Sequence, residues 1–102
     1  MKDLIESLEI DYREALIKVI RDLEENNTFN IENIESLELV ENFSLDLLSL
    51  ENPIEVFNTI KDLVKIRIPY KKYRRVLDKR IELILLGYRK VKTIGIEKRS
   101  RF

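Results

Sequence analysis

The chain has 102 residues, a length that fits a single domain (1–102) built around one modest hydrophobic core. With 44% apolar and 37% charged residues it is expected to be globular, with more charge than average domains carry. It contains neither Cys nor His, which excludes disulfides, the usual zinc sites and catalysis by a thiol or an imidazole.

The composition also bears on where the protein works. Acidic residues occur at short intervals near the start, unlike in a signal peptide, and no apolar run approaches the roughly 18 residues of a membrane span. We therefore expect a cytoplasmic protein with no transmembrane segment. Abundant Lys and Glu with few thermolabile residues resemble hyperthermophile proteins and indicate a thermostable protein from an archaeon or an archaeal virus. An AT-rich genome would give the same composition through codon bias.

The net charge of zero hides a division between the two halves of the chain. Residues 1–60 hold 4 basic and 15 acidic side chains, a net charge of −11, whereas residues 61–102 hold 15 basic and 4 acidic, a net charge of +11. One interpretation is a basic surface for nucleic acid and an acidic surface for a basic partner. The alternative is that the halves neutralise each other within the fold, or that protomers stack head to tail.

The first long helix is predicted to begin at Asp11, which can cap it together with Glu14, and to end in a polar loop at 26–28. A shorter helical turn over 3–8 precedes it. The buried face of the long helix has apolar residues at helical spacing: Tyr12, Ala15, Leu16, Val19, Ile20 and Leu23.

The region that follows is less regular, and we interpret it as two short helices capped by Asn30 and Ser44. Residues 37–39 could equally alternate as a strand. The start of the next helix is clearer, because Asn52 can cap it and Pro53 can occupy its first position. That helix is predicted to end near Arg67.

The last helix is predicted to begin at Pro69 and to run to 86 or beyond, with Gly87 either at its end or inside it. A short extended piece at 94–96 and a flexible basic tail at 97–102 complete the chain. The predicted fold is all-α, a compact bundle of four to five helices. Its last two helices are candidates for a helix-turn-helix-like pair.

The last helix carries the best candidate site. Lys and Arg on one helical face can neutralise phosphates with counterion release, and Arg can add bidentate contacts. The candidate nucleic-acid-binding residues are Lys71, Lys72, Arg74, Arg75, Lys79, Arg89 and Lys90. A solvated face and contact with an anionic membrane surface are the alternatives. Tyr70 and Tyr73 could stack on unpaired bases, although their helical phase favours core packing.

The acidic half contains a dense apolar stretch at 43–50. A short helix cannot point all of these side chains inward, so we expect some to be exposed for a protein partner. The candidate partner residues are Phe43, Leu45, Leu47, Leu48 and Leu50. Burial under the N-terminal helix is the alternative.

For catalysis the sequence offers only carboxylates. It has no Gly-rich phosphate loop, metal-ligand spacing or nucleophile elbow, so we expect no enzymatic activity, no cofactor and no metal.

Two segments, "SLEIDYREALIKVIRDLEE" (7–25) and "IKDLVKIRIPYKKYRRV" (60–76), are similar to parts of the helical domain of archaeal GINS replication proteins and cover about a third of the chain. Pro69 interrupts the helical pattern of the second segment. The resemblance implies a replication accessory protein.

Taken together, these features predict a non-catalytic accessory or adaptor subunit, acting in DNA replication or transcription. It would bind a protein partner through its acidic Leu-rich part and nucleic acid through its basic C-terminal helix. A helix-turn-helix DNA-binding regulator is one alternative, and a structural protein that forms homo-oligomers is another.

Overall fold

Four α-helices and one short 3-10 helix follow one another in the computed structural model, which describes the backbone of residues 2–101 and the side chains of residues 3–87. No strand occurs within residues 2–101. The predicted all-α helical bundle is therefore confirmed. Its elements are α1 (Lys2–Asn26), α2 (Ile34–Leu48), α3 (Pro53–Leu63), the 3-10 helix (Ile68–Tyr70) and α4 (Lys71–Arg101).

α1 is one continuous helix because its apolar stripe does not stop at the predicted cap. Leu8, Tyr12 and Leu16 are all buried at four-residue spacing, so the face that packs on the core runs through both predicted pieces. The prediction that Asp11 begins a helix is therefore wrong. Asp11 lies in the middle of α1, with helix on both sides.

The loop that follows α1 is held by a left-handed residue and a buried carboxylate. Asn27 has a φ of 51°, the left-handed conformation that Asn tolerates just after a helix. The buried Asp22 carboxylate accepts a hydrogen bond from the Asn26 amide at 2.7 Å and one from the Asn33 N–H at 3.4 Å. The first bond lies within the last turn of α1, and the second ties the far end of the loop 27–33 back to α1.

α2 replaces the two short helices predicted in this region. Its cap is Asn33 rather than Asn30, and the Asn33 side chain accepts a hydrogen bond from the Glu35 N–H at 2.9 Å. Ser44 begins no helix: it is buried within α2, where its hydroxyl donates to the Val40 carbonyl at 2.7 Å. A Ser hydroxyl can bond to the backbone at the start of a helix, or to the carbonyl four residues earlier inside a helix. A Ser in the sequence therefore does not show which of the two positions it occupies.

α3 begins where predicted, with Pro53 in its first turn after Asn52. The Asn52 side chain, however, makes no capping hydrogen bond to the backbone, and its amide donates instead to the Glu55 carboxylate at 3.2 Å. It ends at Leu63, short of the predicted end near Arg67, because Val64 takes an extended conformation and is buried in the core. The chain then enters α4 through the 3-10 helix.

α4 continues through Gly87, which therefore does not end the helix. Its backbone is also helical over 94–96, where an extended piece was predicted, so that prediction is wrong. The side chains of the basic tail 97–102 lie outside the described residues, and its flexibility stays a prediction.

The core forms where α1, α2, α3 and α4 meet, and each of these helices packs against the other three. Three aromatic rings lie at its centre: Tyr12 is 5.6 Å from Phe43 and 6.2 Å from Phe57, and the two Phe rings are 6.3 Å apart, measured between centroids. Such tilted and edge-on pairs add to the stabilisation from burial. α4 contributes Leu77, Ile81 and Leu85 at helical spacing.

The apolar stretch of α2 is mostly core. Phe43 and Leu47 are fully buried, Leu48 and Leu50 are partly buried against the core, and only Leu45 is largely exposed, at 57%. The expectation that these five side chains offer a partner surface is therefore wrong for Phe43 and Leu47. α2 contacts three other helices, so more of its circumference is covered than one amphipathic face would require.

Leu47→Ala is expected to lower the free energy of unfolding by about 2–5 kcal/mol, because it opens a cavity in a filled core. Leu45→Ala is the matched control from the exposed side of the same helix, and should change that free energy by no more than about 0.5 kcal/mol. Urea denaturation followed by far-UV circular dichroism measures both. Equal losses in the two variants would contradict this assignment of the faces of α2.

Candidate functional site

Most of the described cations of α4 lie on the side of the helix opposite the core, and Arg74 is the exception. Lys71, Arg75 and Lys79 recur every four residues along one face and are exposed, and Lys72 is exposed beside them. Leu77, which is fully buried, marks the opposite side of the helix. The packing of α4 therefore presents these predicted site residues to solvent together.

In the part of the chain with described side chains, the acidic half does not neutralise this surface through ion pairs. Within residues 3–87, the ion pairs have N–O distances of 2.7–3.5 Å, and none joins a base of α4 to an acid from 1–60. They are Arg13 with Glu9, Lys18 with Glu35, Lys61 with Glu82, and Arg74 with Asp78. In this part of the chain the alternative of mutual neutralisation by such pairs is not observed.

An open groove of about 520 Å³ is formed by α4 and the loop between α1 and α2, and we call it the basic groove. Among the described residues, no carboxylate lines it. Three cations and four apolar side chains line it together with one amide: Arg75, Lys79, Arg80, Phe29, Ile31, Val76, Leu83 and Asn30. The groove therefore combines positive charge with an apolar surface.

The apolar side of the basic groove includes an exposed aromatic ring. Phe29 is 62% exposed, and the Lys72 Nζ lies over its ring at 5.6 Å from the centroid. A cation at this distance is attracted by the ring face. The ring therefore adds a flat apolar surface to a strongly cationic neighbourhood.

A second groove, of about 500 Å³, lies towards the end of α3. Its lining includes Lys65 and Lys71 but also the carboxylates of Asp62 and Asp78, so its charge is mixed. Arg75 lines both grooves. Cations therefore continue from the basic groove to the end of α3, but there they alternate with carboxylates.

Arg74, by contrast, has a structural role. Its guanidinium donates to the Val64 carbonyl at 2.5 Å and to the Lys61 carbonyl, which are acceptors at the C-terminal end of α3. It also pairs with Asp78 at 3.4 Å and lies over the ring of Tyr12. The side chain is only 15% exposed, so Arg74 does not belong to the solvent-facing cations.

Asp78 and Tyr12 complete this network between α4 and α1. The Tyr12 hydroxyl donates to the Asp78 carboxylate at 2.5 Å. Burial raises the pKa of Asp78 above its ordinary value, although the bonds from Tyr12 and Arg74 act in the opposite direction. Burial and the neighbouring carboxylate also raise the pKa of Tyr12, so its phenol remains protonated and continues to donate.

The remaining predicted residues fall into two groups. The side chains of Arg89 and Lys90 lie outside the described residues. Tyr70 and Tyr73 are half-buried with their rings 6.4 Å apart, and Tyr73 packs against the core, as its helical phase indicated.

Of the residues that line the basic groove, only Arg75 and Lys79 were among the predicted site residues, and the most informative of the others are Arg80 and Phe29. Arg80 follows the candidate residue Lys79 but was not itself a candidate, and it is exposed and lines the groove. Phe29 lies in a polar loop and belongs to no periodic stripe of apolar residues. The sequence signal for a role at a binding site was an isolated aromatic residue in such a loop. The sequence also contained a signal that Arg74 faces inward. Arg74 precedes the buried Leu77 by three residues and Ile81 by seven, and this spacing places it on the same side of the helix.

Other kinds of site receive no support from the described part of the chain. Within it, no group of three or more acidic residues is arranged to hold a metal ion. A search of the described helices for an apolar stretch that could span a lipid bilayer finds none. The helix-turn-helix comparison is also weakened, since the connection 64–70 between α3 and α4 is longer than the usual turn of about three or four residues.

No known protein family, curated protein or solved structure matches this chain. The resemblance of two segments to GINS proteins therefore stays a prediction. The geometry and charge of the basic groove carry the functional proposal.

Arg74→Ala is expected to destabilise the protein by roughly 2–4 kcal/mol, because it leaves the carbonyls at the end of α3 and the half-buried Asp78 without their cation. Arg75→Ala, the neighbouring exposed arginine, should change stability by no more than about 0.5 kcal/mol. Thermal and urea unfolding of both variants measure the contrast. If the two arginines proved equally dispensable, the structural role of Arg74 would be refuted.

A pH series tests the burial of Asp78, with the non-titrating Asp78→Asn variant as reference. Because the folded-state pKa of Asp78 is raised, the folded protein binds this proton more tightly than the unfolded chain does. As the pH falls through the folded pKa to the unfolded value of about 3.9, the wild type should gain stability relative to the variant. Urea unfolding from about pH 7 to about pH 3 measures this difference. A shift in the opposite direction would show that the bonds to Tyr12 and Arg74 outweigh burial.

Proposed function

We propose that this protein is a non-catalytic accessory subunit that holds nucleic acid on the exposed basic face of α4 while its acidic half binds a protein partner. The observation that carries the proposal is the basic groove, in which Arg75, Lys79 and Arg80 converge with no carboxylate among the described lining residues. Cations on the rigid face of one helix are suited to follow a phosphate backbone.

The density of unpaired charge supports nucleic acid over a solvated face. Lys71, Lys72, Arg75, Lys79 and Arg80 lie within ten residues, and within residues 3–87 none of them forms an ion pair. Like charges at such spacing repel one another and destabilise the helix slightly. A polyanion that binds there removes this repulsion and releases counterions.

The acidic half supports the partner-binding part of the proposal. α2 presents Leu45 to solvent beside the exposed acids Glu41 and Asp46. On α1, burial raises the pKa of Asp11, and the carboxylate of Asp46 on α2 raises it further, which reflects crowded negative charge between the two helices. A partner with basic and apolar side chains would relieve this repulsion and cover Leu45.

The nucleic-acid part is tested by removing charge from the basic groove. The triple variant Arg75→Ala, Lys79→Ala, Arg80→Ala should lower affinity for nucleic acid and reduce the slope of log K against log salt concentration by about two to three. Fluorescence anisotropy with labelled oligonucleotides across a salt series measures both quantities.

The matched control is Arg21→Ala, which removes an exposed arginine from the acidic half. It should leave affinity and salt slope unchanged, whereas equal effects of the control and the triple variant would indicate unspecific charge attraction. Wild-type protein that binds no oligonucleotide at low salt would refute the proposal.

A further inference from the structure

We infer that the basic groove selects single-stranded over duplex nucleic acid by stacking an unpaired base on Phe29. The inference rests on the proposed function and names the class of nucleic acid that the groove takes. It begins from a side chain that stability alone does not explain: Phe29 is 62% exposed and lies outside the core cluster. Large aromatic side chains at such positions are typical of binding surfaces.

The loop that carries Phe29 is held in place before any ligand binds. Asp22 bonds to residues on both sides of the loop, and Asn27 turns the chain in the left-handed conformation. Within the loop, the Asn30 N–H donates to the Thr28 hydroxyl at 3.3 Å. Ile31, the residue after Asn30, packs against the core. A ring on such a loop loses little conformational freedom when a ligand stacks on it.

The surroundings of the ring match the two chemical parts of a nucleotide. Lys72 lies over the ring at 5.6 Å, and the three cations of the basic groove are within the same depression. A base offers a flat aromatic face to Phe29, while its phosphates can reach the cations. In a duplex the faces of the bases are stacked on one another, so a duplex can use the cations but not the ring. Binding of a single strand should therefore depend on both.

Two other occupants would use the same groove differently. An acidic amphipathic peptide would bring carboxylates and aliphatic side chains. A second copy of this chain could bring the same groups on α1, whose exposed residues include Ile10, Ile17 and Glu14. The exposed aromatic ring beside a cation favours a planar aromatic ligand over an aliphatic one. Occupation by a second copy, which would bring such a peptide, is one of the outcomes of the test.

The affinity test compares oligothymidylate and oligouridylate of about 20 nucleotides, longer than a typical single-strand site, with a duplex of the same length. Phe29→Ala should weaken binding of both single strands by at least about fivefold, and binding of the duplex by less than about twofold. Phe29→Tyr, which keeps a ring, should retain single-strand affinity. Leu4→Ala, which shortens an exposed apolar side chain at the start of α1, is the control and should change neither.

A spectroscopic test makes stacking directly visible. The chain has no Trp, so Phe29→Trp introduces a single indole reporter. Its fluorescence should be quenched by the single strands and unaffected by the duplex, because only an unpaired base can stack on the ring.

The outcomes separate this inference from the proposed function. If Phe29→Ala weakens single strand and duplex equally, or weakens neither while the triple charge variant still loses affinity, stacking is refuted and the proposed function stands. Failure of wild-type protein to bind any oligonucleotide refutes both. Sedimentation velocity that shows a dimer dispersed by salt and by Phe29→Ala would assign the groove to a second copy and overturn the inference.

Discussion

The interaction on which the rest of the structure depends is the contact of Arg74 with the end of α3 and with α1. Its guanidinium satisfies two carbonyls where α3 stops, pairs with Asp78 and lies over the ring of Tyr12. This contact determines how α4 is rotated about its own axis. Because successive side chains on a helix differ by about 100°, fixing Arg74 and Leu77 on the inside leaves Lys71 and neighbouring cations outside.

The same rotation links the core to the charge distribution. The core stripe of α4 and the Arg74 network lie on one side, and the exposed cations among the described residues lie on the other. Stability and the proposed nucleic-acid binding therefore involve different residues of one helix. Arg74 and Arg75, adjacent in the chain, are the clearest example. Arg74 is 15% exposed and bonds to the end of α3 and to Asp78, whereas Arg75 is exposed and lines both grooves. Charge variants of the exposed face can therefore be made without disturbing the fold.

Much of the fold could be predicted from the sequence, and each error has a physical cause. The start of α3 was predicted because Pro53 fits the first helical position through local backbone chemistry. The break at Asp11 was wrong because a capping pair also occurs inside a helix when the apolar stripe continues past it, as Leu8 and Tyr12 show. For the candidate site, the exposed cations of α4 could be predicted from periodicity. Phe29 could not, because a loop has no period from which its neighbours can be deduced.

The sequence by itself determined the helical class, the amphipathic phase of the long helices, the opposite net charges of the two halves and the absence of thiol or imidazole chemistry. These properties depend on composition and on interactions within a few residues along the chain. Only the tertiary structure decided which leucines of α2 are buried, which arginine is structural, and that Phe29 lies beside Lys72. Those outcomes depend on contacts between residues far apart in the chain. Local sequence patterns are compatible with several ways of packing the helices, and only the close packing of one shared core selects among them.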